Sequence, residues 1–322
     1  MTSNPAEYFR SKSILVTGGA GFIGSHLVET LVAAGARVAV IDNLQAGLWS
    51  NLDAVASEVR FVEGDVRDYS ALASLIRDTD PEYVIHLAAN ASVPGSVDDP
   101  RYDFESNCGG TVALLDSLRM AESKAKVVIA SSAAVYGEPG RFPITETFPL
   151  APISPYGASK VCAEVEGAMW AKVYGTQVVV ARLFNTYGPR MPRFVVFDFL
   201  QKLEADSGRL EILGDGKQVR DFNYVSDTVA GLLTLARVGV SGQAYNVASG
   251  VSHTVTDLAQ LLLGILGLKD RTRIEYTGSS WVGDAQRWEV DVAKIHALGH
   301  STDVDLEQGL RLVVDWYGFE PS

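Results

Sequence analysis

The sequence predicts an α/β fold in which a doubly wound parallel sheet carries a smaller C-terminal α/β lobe. Three observations point there. Short runs rich in β-branched residues recur at positions 14–16, 37–41, 59–62, 83–87, 127–130 and 178–183. They are continuously apolar, as strands covered on both faces are, rather than alternating. Helical patterns separate them, and parallel strands need such crossovers.

The first strand runs into Thr17-Gly18-Gly19-Ala20-Gly21-Phe22-Ile23-Gly24, and a helix pattern over 22–34 follows, with Gly35 placed to end it. Asp42 and Asn43 close the second strand, and Gly64-Asp65-Val66-Arg67-Asp68 follows the third. Beyond Asn185 the pattern is broken by Tyr187-Gly188-Pro189 and Met191-Pro192, and a helix over 194–205 opens a second lobe. A helix over 229–236 and the run Ala244-Tyr245-Asn246-Val247 suggest that 218–248 returns to the main sheet. The expected division is a dinucleotide-binding domain of residues 1–185, rejoined by 218–248, and a lobe of residues 186–322.

With 47% hydrophobic and 20% charged residues in 322, the chain is globular. A formal charge of −12 with no run of Lys or Arg argues against a nucleic-acid surface. Cys108 and Cys162, the two cysteines, read as small buried apolar residues in a reducing compartment. The start Met1-Thr2-Ser3-Asn4-Pro5 lacks a signal-peptide core, and no apolar stretch nears the ~20 residues that span a bilayer. The expectation is a soluble, cytoplasmic protein with no membrane or nucleic-acid partner and no metal site.

The residues that carry chemistry lie around Tyr156. In Ser154-Pro155-Tyr156-Gly157-Ala158-Ser159-Lys160, Ser154 suits an N-cap and Pro155 the first helical position. Tyr156 then falls in the first turn, with Lys160 one turn on and on the same face. A phenol with a pKa of about 10 is a poor base at neutrality unless a cation lowers it, and Lys160 and the helix start are placed to do so. Such a Tyr suits proton transfer at a carbinol whose hydride leaves for a nicotinamide ring. Gly18, Gly21 and Gly24 follow a strand and open a helix, the setting in which backbone N–H groups meet a pyrophosphate. Asp42 is placed to accept from both adenosine ribose hydroxyls and to repel a 2′-phosphate, which favours NAD over NADP. Asp65 is a candidate for the adenine edge, and Asp68 reads as a helix cap.

With these residues in place the chain resembles the extended short-chain dehydrogenase/reductases, and within them the nucleotide-sugar epimerases and dehydratases typified by UDP-glucose 4-epimerase. The likeness includes Asp42-Asn43-Leu44, His86-Leu87-Ala88-Ala89, Asn107 with Gly110-Thr111, Ser131-Ser132-Ala133-Ala134-Val135-Tyr136-Gly137, and Arg182-Leu183-Phe184-Asn185-Thr186-Tyr187-Gly188-Pro189. It continues through Gly214-Asp215-Gly216-Lys217-Gln218-Val219-Arg220-Asp221-Phe222, Asn246 and Gly283-Asp284. The resemblance implies a Rossmann-type NAD-binding domain and a nucleotide-sugar-binding lobe. It makes Tyr156 the catalytic base, Lys160 its partner and a ribose ligand, and Ser132 a donor to the reacting oxygen. It sets Phe22, Ile23, Asn43, Val66, Leu87, Ala88, Ala89 and Asn107 about the cofactor, with Asn185, Arg220 and Asp284 on the substrate side. Where many relatives carry an Arg two residues before the Gly-Asp pair, this chain has Trp281, which packs on the base or sugar or serves ordinary packing, and Arg287 is a candidate substitute.

Relatives that eliminate water or decarboxylate the sugar carry an acid straight after the catalytic Ser or Thr. Ala133 and Ala134 stand there instead, so the expected reaction is inversion at C4 of a UDP-hexose through a 4-keto intermediate. The alternatives are a dehydratase using Glu138 or Glu146, a 4-reductase, and a non-catalytic NAD-binding protein. Val161, Val165, Met169 and Val173 recur at helical spacing on the Tyr156 helix, suiting either a homodimer of the kind relatives form or the monomer's own core.

Overall fold

The computed structural model describes residues 5–279 and 285–320. Its strands, in chain order, are β1 (Ser13–Thr17), β2 (Arg37–Asp42), β3 (Val59–Glu63), β4 (Tyr83–His86), β5 (Lys126–Ser132), β6 (Gln177–Leu183), β7 (Asn185–Tyr187), β8 (Arg209–Ile212), β9 (Val219–Tyr224), β10 (Ala244–Val247), β11 (Ser252–Thr254) and β12 (Arg273–Tyr276). The main sheet runs β3-β2-β1-β4-β5-β6-β10, with every neighbouring pair parallel. Its strand order reverses between β1 and β4, and ligands of open α/β sheets bind beyond the strand C-termini at such a switch point.

The continuous apolar runs follow from two cores fed by alternate residues of each strand. On one face Ile14, Val16, Val38, Val40, Ile85 and Val128 pack with Leu27, Val28 and Leu31 of the helix Phe22–Ala33 and with Val229, Leu232 and Leu233 of the helix Val225–Val238. On the other, Leu15, Ala39, Ile41, Val84, Val127 and Ile129 pack with the helices Tyr69–Thr79 and Gly110–Met120 and with Trp170 of Pro155–Tyr174.

The smaller lobe holds a three-stranded sheet, β11-β9-β7, and the parallel pair β8-β12, around Phe199, Leu203, Leu210, Ile212, Phe222, Leu258 and Leu310. One boundary differs from the sequence expectation. Residues 219–224 belong to this lobe, because β9 pairs with β7 in parallel and with β11 antiparallel. The chain therefore crosses back at Val225, and β10 then joins β6. A strand-like run does not reveal which sheet receives it, and its partner at 185–187 sits in a segment that reads as irregular. Among the described residues no helix is long and apolar enough to cross a membrane.

Candidate active site

Ser132 ends β5, and Tyr156 opens the helix Pro155–Tyr174, so the strand end and the helix start converge at the sheet's C-terminal edge. The helix begins as its sequence requires: Ser154 Oγ accepts from the Gly157 N–H at 3.1 Å, Pro155 occupies the first turn, and the Tyr156 N–H donates to Ser96 Oγ at 3.0 Å. The Ser132 side chain faces the Tyr156 phenol and favours its ionised form. Ser132 Oγ also accepts from the Ala134 N–H at 3.2 Å, which fixes its rotamer.

Lys160 is buried, donates to the Ala130 carbonyl at 3.0 Å and lies 5.9 Å from the centre of the Tyr156 ring. The expected lowering of the phenol by Lys160 is corrected here. Burial raises the phenol above its ordinary value, the Ser132 side chain and the Arg193 guanidinium lower it, and Asp103 raises it, with a net upward direction. Lys160 itself is brought down to about 8, chiefly by burial, with Asp103 and Glu164 opposing that. The cation facing the phenol from the smaller lobe's side is thus Arg193, an exposed residue that the sequence reading did not single out.

The glycine turn is shaped for its neighbours. Gly18 has φ +70, and a Cβ there would lie 2.7 Å from the Ala88 nitrogen; at Gly24 it would lie 2.1 Å from the Gly18 carbonyl oxygen. The Gly18 contact brings Leu87 and Ala88, just past β4, against the turn, with Ala89 following them in the chain. The helix Phe22–Ala33 starts at Gly21 with no side-chain cap, which leaves the first-turn N–H groups of Phe22 and Ile23 for an anion. Asp42 is 6% exposed and holds the turn, accepting from the Ala20 N–H and the Leu44 N–H, each at 2.9 Å. Each oxygen keeps a second lone pair for a ribose hydroxyl. An uncapped helix start beside this carboxylate fits a dinucleotide's pyrophosphate and adenosine ribose.

Asp65 is engaged differently from the expectation. Arg67 forks onto it at 2.9 and 2.8 Å and Asn43 Nδ2 donates to it at 3.1 Å, and the Arg67 bond brings its carboxyl down to about 2. Val66, beside it, is buried under the Gly110 turn. Asp68 caps the helix Tyr69–Thr79 through the Ser70 and Ala71 N–H groups. Asn107 is 1% exposed and its side chain is committed within the protein, to Asn90, Asp103 and Ser159. It supports the site from behind.

On the substrate side, Asn185 opens β7 immediately past β6, whose Leu183 is in register with Ser132. Its Nδ2 is buried without a hydrogen-bond partner among the described residues. Arg220 on β9 is 8% exposed, stacks 5.0 Å over Trp288 and donates to the Val219 and Ala285 carbonyls. Arg287 instead pairs with Glu289 and lies over Phe142, although its backbone bridges to Val219. Trp281 and Asp284 lie outside the described residues.

A family model described as GDP-mannose 4,6 dehydratase matches residues 15–311. The UDP-glucose 4-epimerase of Mycolicibacterium smegmatis is 35% identical over 311 residues, 94% of this chain and 97% of that protein. Among solved structures, the UDP-glucose 4-epimerase of Thermotoga maritima with UDP-glucose matches at a TM-score of 0.88 and 36% identity, covering 95% of this chain and 98% of that one. A dTDP-glucose 4,6-dehydratase of Streptomyces venezuelae with NAD bound matches at 0.87 and 34%, over 95% and 96%. The glycine turn, the Ser132–Tyr156 pair and these matches agree end to end: the chain belongs to the extended short-chain dehydrogenase/reductases, in their nucleotide-sugar epimerase/dehydratase family.

Proposed function

We propose that this chain is an NAD-dependent nucleotide-sugar 4-epimerase of the UDP-hexose type. The observation that carries the reading is the buried pair Ala133 and Ala134, directly after Ser132, in a site where Ser132 faces the Tyr156 phenol. Elimination across C5 and C6 needs an acid for the leaving hydroxyl and a base for the C5 proton. No carboxyl follows Ser132. Glu146 accepts from the Asn246 N–H on β10 at 2.9 Å and lines a cavity with Arg182 and Lys294, and Glu138 is exposed.

Oxidised NAD, when bound, supplies the acceptor for the C4 hydride, the means of its return and a positive charge beside the phenol. Tyr156 takes the C4 hydroxyl proton and later gives it back, while Ser132 holds the same oxygen by a hydrogen bond. Lys160, as ammonium, is the group that would hold the nicotinamide ribose. Asp42 holds the adenosine ribose. Asn185, with its unmet donor, and Arg220 hold the diphosphate, Arg220 through a guanidinium already oriented by Trp288.

The test is incubation with a panel of nucleotide sugars in deuterium oxide, read by NMR. Inversion at C4 with no deuterium on ring carbons is the expected result. Deuterium at C5 with loss of the C6 hydroxyl would overturn the reading in favour of the dehydratase.

The same reading includes a homodimer in the cytoplasm. Val165 and Val173 on the Tyr156 helix are 59% and 62% exposed and Met120 on the helix Gly110–Met120 is 68% exposed, which supports a shared face. Val161 and Met169 pack instead against the monomer's cores. Light scattering that gives the mass of one chain at micromolar concentration would remove the dimer.

A further inference from the structure

Behind the catalytic helix lies a buried carboxylate that the proposed chemistry does not use. Asp103, on the short helix Pro100–Phe104, is 0% exposed. Its Oδ1 accepts from Asn90 Nδ2 and Asn107 Nδ2, each at 3.1 Å, and its Oδ2 from Ser159 Oγ at 2.6 Å. Asn107 sits in the π-helical turn Glu105–Gly109, a local widening often found at functional sites. Ser159 lies between Tyr156 and Lys160, and its Oγ also stands 2.9 Å from the Tyr156 carbonyl oxygen and 2.9 Å from Asn107 Nδ2. Three neutral donors satisfy the oxygens of Asp103 but do not offset the cost of burying its charge.

The offsetting charge is identified by elimination among the groups that face it. His86 is uncharged: the Thr111 hydroxyl donates to the Asn107 carbonyl at 2.6 Å, so it accepts from His86 Nε2–H at 3.1 Å, and His86 Nδ1 accepts from Thr17 Oγ1 at 2.8 Å. Burial, with Lys160 nearby, brings His86 down to about 3, so it stays neutral. The carboxylates facing Lys160 are Asp103 and Glu164, and Glu164 is held at 2.6 Å by Arg182 and at 2.5 Å by Ser131. Asp103, tied at 2.6 Å to Ser159, the residue next to Lys160 on the helix Pro155–Tyr174, is left as the carboxylate available to that ammonium, and Lys160 lowers its carboxyl against the upward push of burial.

We propose that Asp103 is a positioning residue of the reaction: it docks the Asn107 turn onto the catalytic helix through Ser159 and serves as the internal counter-anion of Lys160. The kinetic part of this rests on the epimerase reading; the electrostatic part does not. Asp103→Asn keeps the shape, since its amide oxygen still accepts from Asn90 and Asn107 and its N–H donates to Ser159, while the charge is lost. With lysines labelled at Cε, NMR titration of Asp103→Asn is expected to show the Lys160 midpoint about one unit lower than in the unmodified protein, a tenfold loss of proton affinity. Turnover near pH 7.5 is expected to fall about threefold with KM within about twofold, because the ammonium is then the minority form at working pH.

Should Asp103→Asn not fold, Lys160→Met reads the same coupling from the other side, as linkage requires. Infrared difference spectra are then expected to show the Asp103 carboxyl protonating at higher pH than in the unmodified protein. A Lys160 midpoint unmoved in Asp103→Asn, or an Asp103 band unmoved in Lys160→Met, overturns the proposal. Both titrations need no substrate, so they remain decisive even where the sugar panel shows no C4 inversion, and the two failures stay distinct.

Discussion

Ser132, Tyr156 and Asp42 meet the crevice from the sheet side with their polar groups already engaged, while Asn185 in the smaller lobe keeps a buried donor with no partner among the described residues. The loop leading from β7 adds conformational cost, since Arg190 and Phe194 hold φ of 69 and 71 without being glycine. An unmet buried donor costs about 1–3 kcal/mol, and each left-handed residue a similar amount. The groups on the sheet side are thus satisfied within the protein, and those on the lobe side carry a cost that a bound ligand is proposed to relieve. On the proposed reading, preorganisation of the first would serve chemistry and relief of cost on the second would serve recognition.

The largest expected effect tests the finished wall. Tyr156→Phe is expected to lower kcat about 1,000-fold while NAD remains bound, measured by turnover and by absorbance of the cofactor carried through purification. Turnover surviving at more than a tenth would mean that the phenol is not the base. Next comes pH. Lys160 loses its proton near pH 8, so kcat is expected to fall above that, approaching tenfold per unit. Stability moves the opposite way: the folded value is depressed from 10.5 to about 8, so the unfolded chain binds more protons between those values and this group's contribution to stability rises with pH there. A flat kcat profile up to pH 10 would detach Lys160 from the mechanism.

The lobe wall is probed by smaller changes. Asn185→Ala is expected to raise KM about tenfold with kcat nearly unchanged, and to stabilise the ligand-free protein by about 1 kcal/mol in urea, because the unmet donor is gone. A stability loss of that size would show that Asn185 has a structural partner instead. Arg193→Gln is expected to raise KM severalfold and to move the acid limb of kcat/KM to higher pH, since the guanidinium favours the ionised phenol. An unmoved limb would take Arg193 out of the site.

What the sequence made legible was local. The glycine turn, the Ser154 cap with Pro155, the Asp68 cap and the continuous strands are each read from residues within a turn or two of one another. The rest depended on partners remote in sequence. Ser96 meets Tyr156, Asp103 meets Ser159, and Arg193 faces Tyr156, and no spacing rule connects any of these pairs. Asp103 did leave one trace, standing four residues before Asn107, but the π-helical turn between them hides an ordinary helical face. Lys160 misled for a related reason: one turn from Tyr156 it was expected to lower the phenol, whereas its ammonium donates to the Ala130 carbonyl, brought close only by folding.

The return of the chain at Val225 governs how this protein can be dissected. The helix Val225–Val238 and β10 fill one face and one edge of the main sheet, yet they are translated only after the strands that build the smaller lobe. A fragment stopped at residue 185 would leave β6 as a bare edge and Val128, Val179 and Ala181 open to water. Ribosomal synthesis must therefore run well past Tyr156 before the main sheet can close, and the two sheets are inseparable by truncation.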